Sequence, residues 1–280
     1  MRLVHITQYF HPEKGYQENQ FAKHHKRFFD QVFIIASDNT RLWNNIPKCE
    51  LKKMDREYEE KTGVVVIRLR TLPLILSDRI FCLGLWKSLN LINPDYIYVH
   101  SISSPLTISA CIWINRNGRN RVLKTIIDDH MVYVASKNRF SSIYYLGLKL
   151  LFLKSYQKAF ERWIAVSEET KDFIINKFSN KLKDKIYVIP LGVDLESFKY
   201  DLNAREKLRK KLGISDETKL IVYTGKRDKI KDPYILLPVL KHLLNQGLNF
   251  KLLFVGENVN SYDDNINQYL IKNTEMASRV

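Results

Sequence analysis

The sequence contains no long apolar run. None of its 280 residues belongs to an uninterrupted apolar stretch of about 18 residues, so we predict no transmembrane helix. The apolar start of the chain is too short for a signal peptide and is broken by His5, Gln8 and His11. Cysteine is scarce as well. The three cysteines are scattered and odd in number, which argues against a disulfide framework and favours reduced thiols in a cytosolic protein.

Several well-known binding and catalytic patterns are absent too. The sequence has no Walker motif, no Gly-x-Gly-x-x-Gly fingerprint and no readable Ser-His-Asp set. It also lacks an Asp-x-Asp pair with which a divalent metal would hold a diphosphate. His24 and His25 are adjacent, so a helix would point them about 100° apart, without a carboxylate or cysteine at ligand spacing. We therefore predict no metal site.

Positive charge is in clear excess, with 45 Lys and Arg residues against 30 Asp and Glu residues, a net charge of +15. Such a charge favours an anionic partner, which leaves nucleic acid, an anionic membrane surface or a phosphorylated substrate. No nucleic-acid-binding pattern is recognisable, so we predict no nucleic-acid partner. Basic residues beside aromatic or apolar ones, near 21–29 and 144–158, fit either a peripheral membrane contact or ordinary core-packing helices with a solvated face.

Short apolar runs alternate with helical patterns along most of the chain. The predicted strands are 2–7, 32–36, 64–69, 96–100, 122–127, 163–167 and 186–189, and the predicted helices are 17–29, 77–91, 105–115, 142–160 and 168–178. This alternation predicts an α/β fold with a doubly wound parallel sheet. Val, Ile and Tyr dominate the strands, as expected where both faces of a sheet are covered.

A polar, highly charged segment after 190–194 reads as an interdomain connection. Beyond it we predict strands 220–224 and 250–255 around a helix at 233–245. The sequence therefore divides into a Rossmann-like domain, 1–195, and part of a second one, 196–280. Two strands cannot close a doubly wound domain. We expect either that the natural chain continues or that a complementing subunit supplies the missing half.

Polar residues and glycines follow the predicted strands at their carboxyl ends, where open α/β sheets bind ligands. The first such loop contains Gly15 and leads into a helix that carries Glu18. Glycine there lets backbone N–H groups approach a phosphate, although an ordinary loop fits as well. His100 ends one predicted strand, and Asp129 and His130 follow the end of another. They could contact hydroxyl groups of a ligand or simply form turns.

A second loop follows strand 220–224 and crowds four cations around one glycine. Its charged side chains are Lys226, Arg227, Lys229 and Lys231, and the glycine is Gly225. Cations at the carboxyl end of a strand can neutralise a diphosphate, both when it is bound and when it leaves. A solvated basic loop is the alternative, and the position at the strand end favours binding.

Taken together, these stretches resemble glycosyltransferase family 4, whose members are retaining enzymes of the GT-B fold. The resemblance runs in order from residue 1 to about residue 257 and rests on four stretches: 11–18, 164–169, 188–194 and 225–231. The second-domain loop of the family usually reads Gly-Arg-x-x-x-x-Lys-Gly. Here Gly225, Lys226 and Lys231 stand at its first three fixed places, and Asp232 stands at the last.

The resemblance implies a GT-B enzyme that moves a sugar from a nucleotide-sugar, with retention and without a metal. It implies no cofactor, since the nucleotide-sugar is a co-substrate. The first domain would bind the acceptor and the second the donor. The implied roles are diphosphate binding for Gly15, Gly225, Lys226 and Lys231, acceptor contacts for Glu18 and His100, and catalysis for Asp129 and His130.

The opening loop is similar to those of enzymes that build bacterial surface polysaccharides on lipid-linked acceptors. This implies a cytoplasmic protein with a peripheral contact on the inner face of the plasma membrane. The family's paired donor-binding glutamates would lie beyond Val280, so the resemblance implies a C-terminally incomplete enzyme. One alternative is a catalytically incomplete partner or pseudoenzyme that presents the acceptor or tethers another chain. A sugar-nucleotide epimerase of the same fold is a further alternative, against which the opening loop and the basic first domain argue.

Overall fold

The backbone of the first 194 residues is organised around one eight-stranded sheet. A computed structural model describes residues 1–43, 45–76, 79–118, 122–131, 141–259 and 261–280. They fall into two units, Met1–Asp194 and Leu195–Val280. The strands of the large sheet are β1 (Arg2–Ile6), β2 (Gln31–Ser37), β3 (Val64–Leu76), β4 (Arg79–Leu83), β5 (Tyr96–His100), β6 (Lys124–Asp129), β7 (Arg162–Ala165) and β8 (Ile186–Val188).

The order of strands in this sheet places a switch point beside β1. The order is β4-β3-β2-β1-β5-β6-β7-β8, and every neighbouring pair is parallel except β3 and β4. The chain therefore builds the sheet outward in one direction from β1 to β3 and in the other from β5 to β8. In open parallel sheets the crevice at such a reversal is the usual ligand site, because the loops on either side diverge.

Helices cover the sheet on both faces. The helices of the first unit are α1 (Gln17–His25), α2 (Lys48–Thr62), α3 (Leu85–Ile92), α4 (Pro105–Asn117), α5 (Ser141–Ala159) and α6 (Glu168–Lys177). On one face Ala22 of α1 and Tyr58 of α2 pack with Leu3, Ile34 and Tyr98 of the strands. The other face carries the larger core, to which α3, α4, α5 and α6 contribute. Strand residues alternate between these two cores, as the pleat requires.

Local chemistry explains where several helices begin. Ser104 precedes α4, and its Oγ accepts a hydrogen bond of 3.1 Å from the backbone N–H of Thr107. Ser167 caps α6 in the same way, with a distance of 3.2 Å to the N–H of Thr170. Each cap satisfies a backbone donor that would otherwise lack a partner at the helix start.

The structure confirms most predicted elements and corrects the segment 77–91. Residues 77–78 lie outside the described residues. The predicted helix is wrong over Arg79–Leu83, which forms β4 and pairs antiparallel with β3. The apolar run fitted either state from sequence, and the extension of β3 to Leu76 provides the partner that makes it a strand. Gly84, with φ of 97°, separates this strand from α3.

Two helices that the sequence did not predict are highly charged. The first is α2, in which only Leu51, Met54, Asp55 and Tyr58 are buried. These four side chains follow the spacing i, i+3, i+4, i+7 of a helix with one buried face. The second is α7 (Leu202–Lys211), which occupies part of the segment predicted as a connection.

The second unit contains a two-stranded parallel sheet. Its remaining elements are β9 (Lys219–Thr224), α8 (Leu236–Asn245), β10 (Phe250–Val255), α9 (Asp263–Lys272) and α10 (Thr274–Ala277). Phe250 and Leu252 of β10 are buried against α8, α9 and α10. Val222 and Val255 are each 47% exposed, so the described residues leave part of this sheet uncovered.

A glycine directly follows each strand of this sheet, and the two glycines touch. Gly225 has φ of 147° and Gly256 has φ of 142°. A Cβ atom on Gly256 would lie 2.0 Å from the carbonyl oxygen of Gly225, far inside van der Waals contact. The two loops that follow β9 and β10 can therefore approach each other only while residue 256 has no side chain.

We predict that Gly256→Ala destabilises the second unit strongly. The substitution combines an unfavourable φ with a steric overlap, so its cost should exceed the ~1 kcal/mol expected from φ alone. Hydrogen exchange of the β9 and β10 amides measures this directly. Gly247→Ala is the matched control, because Gly247 also has positive φ, of 85°, but has no atom within 4 Å of an added Cβ. Equal loss of protection in both variants would contradict the proposed contact.

Candidate functional site

The carboxyl ends of β5 and β6 bring several of the predicted residues together. His100 is the last residue of β5 and lies opposite Asp128 in the parallel register with β6. Asp129 and His130 follow Asp128, and Glu18 lies in the first turn of α1, close enough for its charge to act on His100 and His130. The four residues therefore meet at one edge of the sheet, next to the switch point beside β1.

The centre of this cluster is Asp128, which the sequence patterns did not indicate as a site residue. Its side chain is fully buried, and its Oδ2 accepts hydrogen bonds from His100 Nδ1 at 3.0 Å and from Gln17 Nε2 at 3.1 Å. The Nε2 of His130 lies 3.9 Å from the same oxygen. Burial alone would raise the pKa of Asp128, but His100 and His130 more than offset it and hold that pKa well below its usual range. The carboxylate is therefore an anion that several donors surround.

The two histidines beside Asp128 respond to its charge. Burial would lower the pKa of His100, but the Asp128 carboxylate, assisted by Glu18, raises it. The pKa of His130 is raised for the same reason against a smaller burial. The side chain of His130 is 41% exposed, whereas that of His100 is 4% exposed. Of these two histidines, His130 is thus the one that a ligand can reach.

Asp129 behaves differently from its neighbour. It lies on the opposite face of β6, and its Oδ1 accepts hydrogen bonds from the backbone N–H groups of His130 and Met131 at 2.9 and 3.3 Å. Burial raises the pKa of Asp129 to about 7, and the charge of Asp128 adds to that effect. Adjacent carboxyl groups are thus separated into a permanent anion and a group that is protonated in mild acid.

His5 and His25 extend the cluster away from the edge of the sheet. His5 Nδ1 lies 3.0 Å from His100 Nε2, and His5 Nε2 lies 3.0 Å from His25 Nδ1. We call His25, His5 and His100 the histidine row. Neither His5 nor His25 was predicted as a site residue, although His5 interrupts the apolar run 3–6 of β1, a signal that was present in the sequence.

Gly15 lies in the loop between β1 and α1. The base of the loop is held by Asn19, whose Nδ2 donates to the carbonyl oxygens of His11 at 2.9 Å and Pro12 at 3.2 Å. Gly15 is exposed, and no atom lies within 4 Å of the position of an added Cβ. The described residues thus give no steric reason for glycine there, and its role in diphosphate binding stays a prediction.

The basic loop after β9 contains both a cation that is paired within the protein and cations that are exposed. Arg227 is held by the protein, since its Nε and Nη2 donate to the carboxylate of Asp263 at 2.7 and 2.8 Å. Lys226 keeps a side chain that is 58% exposed, with Glu257 at 3.8 Å, and Lys231 is exposed as well. The ammonium groups of both lysines are accessible to an anion, while the guanidinium of Arg227 is occupied by Asp263.

The last place of the family's loop motif has an unusual backbone here. Asp232, which stands where the family usually has glycine, has φ of 41° in the left-handed region. Aspartate tolerates that conformation better than most residues, and the hydroxyl of Tyr262 donates a hydrogen bond to its carboxylate. The loop therefore keeps a glycine-like turn without the glycine.

Comparisons with known proteins give a family match and partial matches to curated relatives. The sequence profile of Glycosyltransferase Family 4 matches residues 22–197. The chain is 33% identical over 84 residues to the D-inositol 3-phosphate glycosyltransferase of Xylanimonas cellulosilytica, an alignment that covers 29% of this chain and 20% of that relative. The chain thus matches only about a fifth of the length of that relative.

Two solved structures share the fold. One is the Anabaena protein HepE in complex with UDP and glucose, with a TM-score of 0.65 at 16% identity, over 100% of this chain and 68% of HepE. The other is a glycosyltransferase from Rickettsia africae, with a TM-score of 0.66 at 17% identity, over 99% of this chain and 66% of that protein. At such identities the likeness concerns the fold alone.

We predict that Asp129→Asn changes how stability depends on pH. In the folded protein the pKa of Asp129 is about 7, against about 3.9 for an exposed aspartate. Between these values the folded protein holds a proton that the unfolded chain has released, so this carboxyl lowers the free energy of unfolding as pH rises from about 4 to about 7. Relative to Asp129→Asn, the free energy of unfolding of the wild-type protein should fall by up to about 4 kcal/mol between about pH 4 and about pH 7.

Urea unfolding at a series of pH values, followed by tryptophan fluorescence, measures this difference. All four tryptophans lie in the first unit, so the signal reports on that unit. Asp128→Asn is the contrasting variant, because the pKa of Asp128 is depressed and its contribution is present above about pH 4 and lost on acidification. A flat difference between wild type and Asp129→Asn from pH 4 to pH 7 would show that Asp129 is not the buried acid described here.

Proposed function

Because the chain belongs to Glycosyltransferase Family 4 and has the α/β GT-B fold, we propose that it transfers a sugar from a nucleotide-sugar to an acceptor hydroxyl. The observation that carries the proposal is the pair of exposed lysines, Lys226 and Lys231, on the loop that ends β9. The complex of HepE with UDP and glucose supports a nucleotide-sugar as the donor class.

The donor diphosphate would bind at the basic loop of the second unit. Lys226 and Lys231 would neutralise the diphosphate as the bond to the sugar breaks, which is a role that metal ions fill in other enzymes. We therefore propose transfer without a metal, with the lysines as the source of positive charge. Gly15 and Gly225 would allow close approach of backbone to the phosphates. Retention of configuration is proposed from family membership.

The cluster at the edge of the first unit would contact the transferred sugar and the acceptor. His130 is exposed and has Asp128 behind it, so it can donate a hydrogen bond to an oxygen of the reacting sugar. Asp129 binds the backbone N–H of His130, which makes it a residue that positions His130. Glu18, in the first turn of α1, would accept a hydrogen bond from a hydroxyl of the acceptor, next to the buried His100.

The outer face of α5 supports a lipid-linked acceptor. Tyr145, Leu148 and Tyr156 of this helix are buried in the core of the first unit. On the opposite side, Ile143, Leu146, Leu150 and Leu151 are 69%, 54%, 74% and 75% exposed. We call these four side chains the α5 outer face. The helix is thus apolar on both sides, although an ordinary surface helix is polar on the side that faces water.

Lysines surround the α5 outer face. Lys149 and Lys154 are exposed on the helix itself. Two further lysines approach its ends: Lys177 Nζ lies 3.4 Å from Ser142 Oγ, and Lys185 Nζ lies 3.4 Å from the carbonyl oxygen of Gln157. The apolar side chains can enter the lipid layer, and the lysines around them can pair with anionic headgroups. We propose that this face rests on the inner leaflet of the plasma membrane and meets the lipid-linked acceptor there.

None of the described helices combines the length and the apolar character needed to cross a bilayer.

We predict that this chain binds a nucleotide diphosphate through Lys226 and Lys231. Calorimetric melting with UDP, GDP and their sugars should show stabilisation by one nucleotide, of about 2.7 kcal/mol when the ligand is present at 100 times its Kd. Lys226→Ala and Lys231→Ala should each weaken binding about tenfold or more, since each removes a charge-assisted contact to phosphate.

Lys211→Ala is the matched control for these variants, because Lys211 is an exposed lysine of the same unit that lies at the end of α7. It changes the net charge by the same amount without touching the loop. If all three variants bind equally well, or if no nucleotide stabilises the wild-type protein, the proposed donor site is wrong for this chain.

We predict that the α5 outer face drives binding to anionic membranes. Leu150→Glu should weaken partition into vesicles that contain phosphatidylglycerol about tenfold or more, because it removes one buried leucine and adds a repelled charge. Co-sedimentation with such vesicles measures the effect, and vesicles of phosphatidylcholine alone should bind the wild-type protein weakly. Leu91→Glu is the control, since Leu91 is 83% exposed but lies on α3. Equal loss in both variants would argue against a specific face.

A further inference from the structure

The histidine row joins three elements of the first unit through their side chains. The ring of His5 is stacked between those of His25 and His100, with centroid distances of 5.1 and 5.2 Å and interplanar angles of 16° and 10°. Ring nitrogens face each other at 3.0 Å at both junctions. At the inner end, His100 Nδ1 meets Asp128 Oδ2 at 3.0 Å, while His25 is half-buried at the outer end.

The hydrogen bonds of the row fix where its protons lie. The carboxylate of Asp128 can only accept, so His100 carries a proton on Nδ1. When His100 is neutral, its Nε2 must accept a hydrogen bond from Nδ1 of His5. The Nε2 of His5 must then accept one from Nδ1 of His25. In this first state all three rings carry their proton on Nδ1, and every donor points toward Asp128.

One additional proton reverses the two hydrogen bonds between the rings of the row. When His100 is protonated on both nitrogens, its Nε2 donates to Nδ1 of His5, which then carries its own proton on Nε2. His5 donates in turn to Nδ1 of His25, whose proton also lies on Nε2. The two states differ by a single proton, which is taken up at Nε2 of His25. His25 then passes its Nδ1 proton to Nε2 of His5, His5 passes its Nδ1 proton to Nε2 of His100, and His100 keeps the Nδ1 proton that it donates to Asp128. No bond other than N–H forms or breaks, and no ring has to turn.

We propose that the histidine row is a proton path that sets the charge of the His100–Asp128 pair from the outer ring of His25. His5 and His25 are then positioning residues that act through His100. In the doubly protonated state the pair is neutral overall. In the other state Asp128 presents an unbalanced negative charge to His130. The inference rests on the proposed function only in this last step, where His130 contacts the sugar.

The electrostatics of the row agree with one shared proton. Burial lowers the pKa of His5, and the neighbouring rings lower it further. Burial likewise lowers the pKa of His25 to about 4. For His100 the charge of Asp128 overcomes burial and raises the pKa. The proton of the row therefore belongs on His100, and a second positive charge on the adjacent rings is unfavourable.

Other titratable groups also face the row. They are Glu18 and His24 on α1, Tyr98 on β5, which stacks on His100 at 4.6 Å, and Asp128 and His130 at the end of β6. Of these, Asp128 and Glu18 raise the pKa of His100. The pH at which the row takes up its proton is thus set by two carboxylates and by the burial of His100.

Nitrogen-15 NMR of the seven histidines tests the proposal without any activity assay. Long-range proton–nitrogen spectra show which ring nitrogen carries the proton. In the wild-type protein we expect His100 to change charge, while His5 and His25 move their proton from Nδ1 to Nε2 at the same midpoint. Three separate midpoints, or rings that keep one tautomer throughout, would overturn the proton path.

His5→Gln interrupts the row, because an amide can hydrogen-bond to both neighbours but cannot pass a proton. In this variant the tautomer of His25 should no longer follow the titration of His100. His24→Gln, on the same helix, should leave the coupling intact. If His5→Gln does not fold, the midpoints and tautomers in the wild-type spectra still test the proton path. Persistent coupling in a folded His5→Gln would also overturn the inference.

The pH profile of sugar transfer gives a second readout. His5→Gln should move its midpoint by about half a pH unit or more, and His24→Gln should not. A role in packing alone would lower Tm without moving the midpoint. If the tautomers are coupled but no sugar transfer is detected, the proton path stands and the proposed function is contradicted. If sugar transfer is detected but the tautomers are not coupled, the proposed function stands and the proton path is contradicted.

Discussion

Asp128 is a charged group that can only accept hydrogen bonds, and it lies where water does not reach. An unpaired buried carboxylate would cost several kcal/mol, so donors have to come to it from the surrounding elements. His100 comes from β5, Gln17 from the start of α1 and His130 from the loop after β6. Because these elements surround the switch point of the sheet, the need to satisfy one carboxylate also fixes the geometry of the candidate site.

The same requirement explains residues that lie farther from the edge. Once His100 Nδ1 is committed to Asp128, its buried Nε2 needs its own partner, which His5 supplies, and His5 then needs His25. In the second unit a steric constraint has the corresponding role. The contact between Gly225 and Gly256 brings two strand ends together, and the basic loop begins at that contact.

The sequence predicted the strands well because buried parallel strands read as continuous apolar runs. Tyr96–His100 and Phe250–Val255 agree with the structure residue for residue. Charged helices were harder to predict from the sequence. For example, α2 buries only four of its 15 residues, so its apolar pattern is weak. The run at Arg79–Leu83 was ambiguous because its strand partner is the extension of β3, which no local pattern indicated.

For the candidate site, residue types at strand ends predicted a cluster of polar side chains, and the structure brings these side chains together at one edge of the sheet. The contacts within the cluster could not be predicted. Asp128 and Asp129 are adjacent, and only the register with β5 determines which of them meets His100. His5 lies 20 residues from His25 and 95 from His100, so their contact depends on tertiary structure alone. The sequence placed Lys226, Arg227 and Lys231 together at the end of a strand, whereas the bond of Arg227 to Asp263 depends on the position of α9.

That commitment of Arg227 makes the basic loop rigid. The side chain of Arg227 holds Asp263 and the carbonyl oxygen of Gly256, while its backbone bonds with Glu257 at 2.8 Å and Val259 at 3.0 Å. The loops after β9 and β10 and the start of α9 therefore form one body. If the proposed anion binds at Lys226 and Lys231, it has to order their side chains but not the backbone of the loop. The conformational entropy of the backbone is lost when the protein folds, so little of it remains to oppose binding.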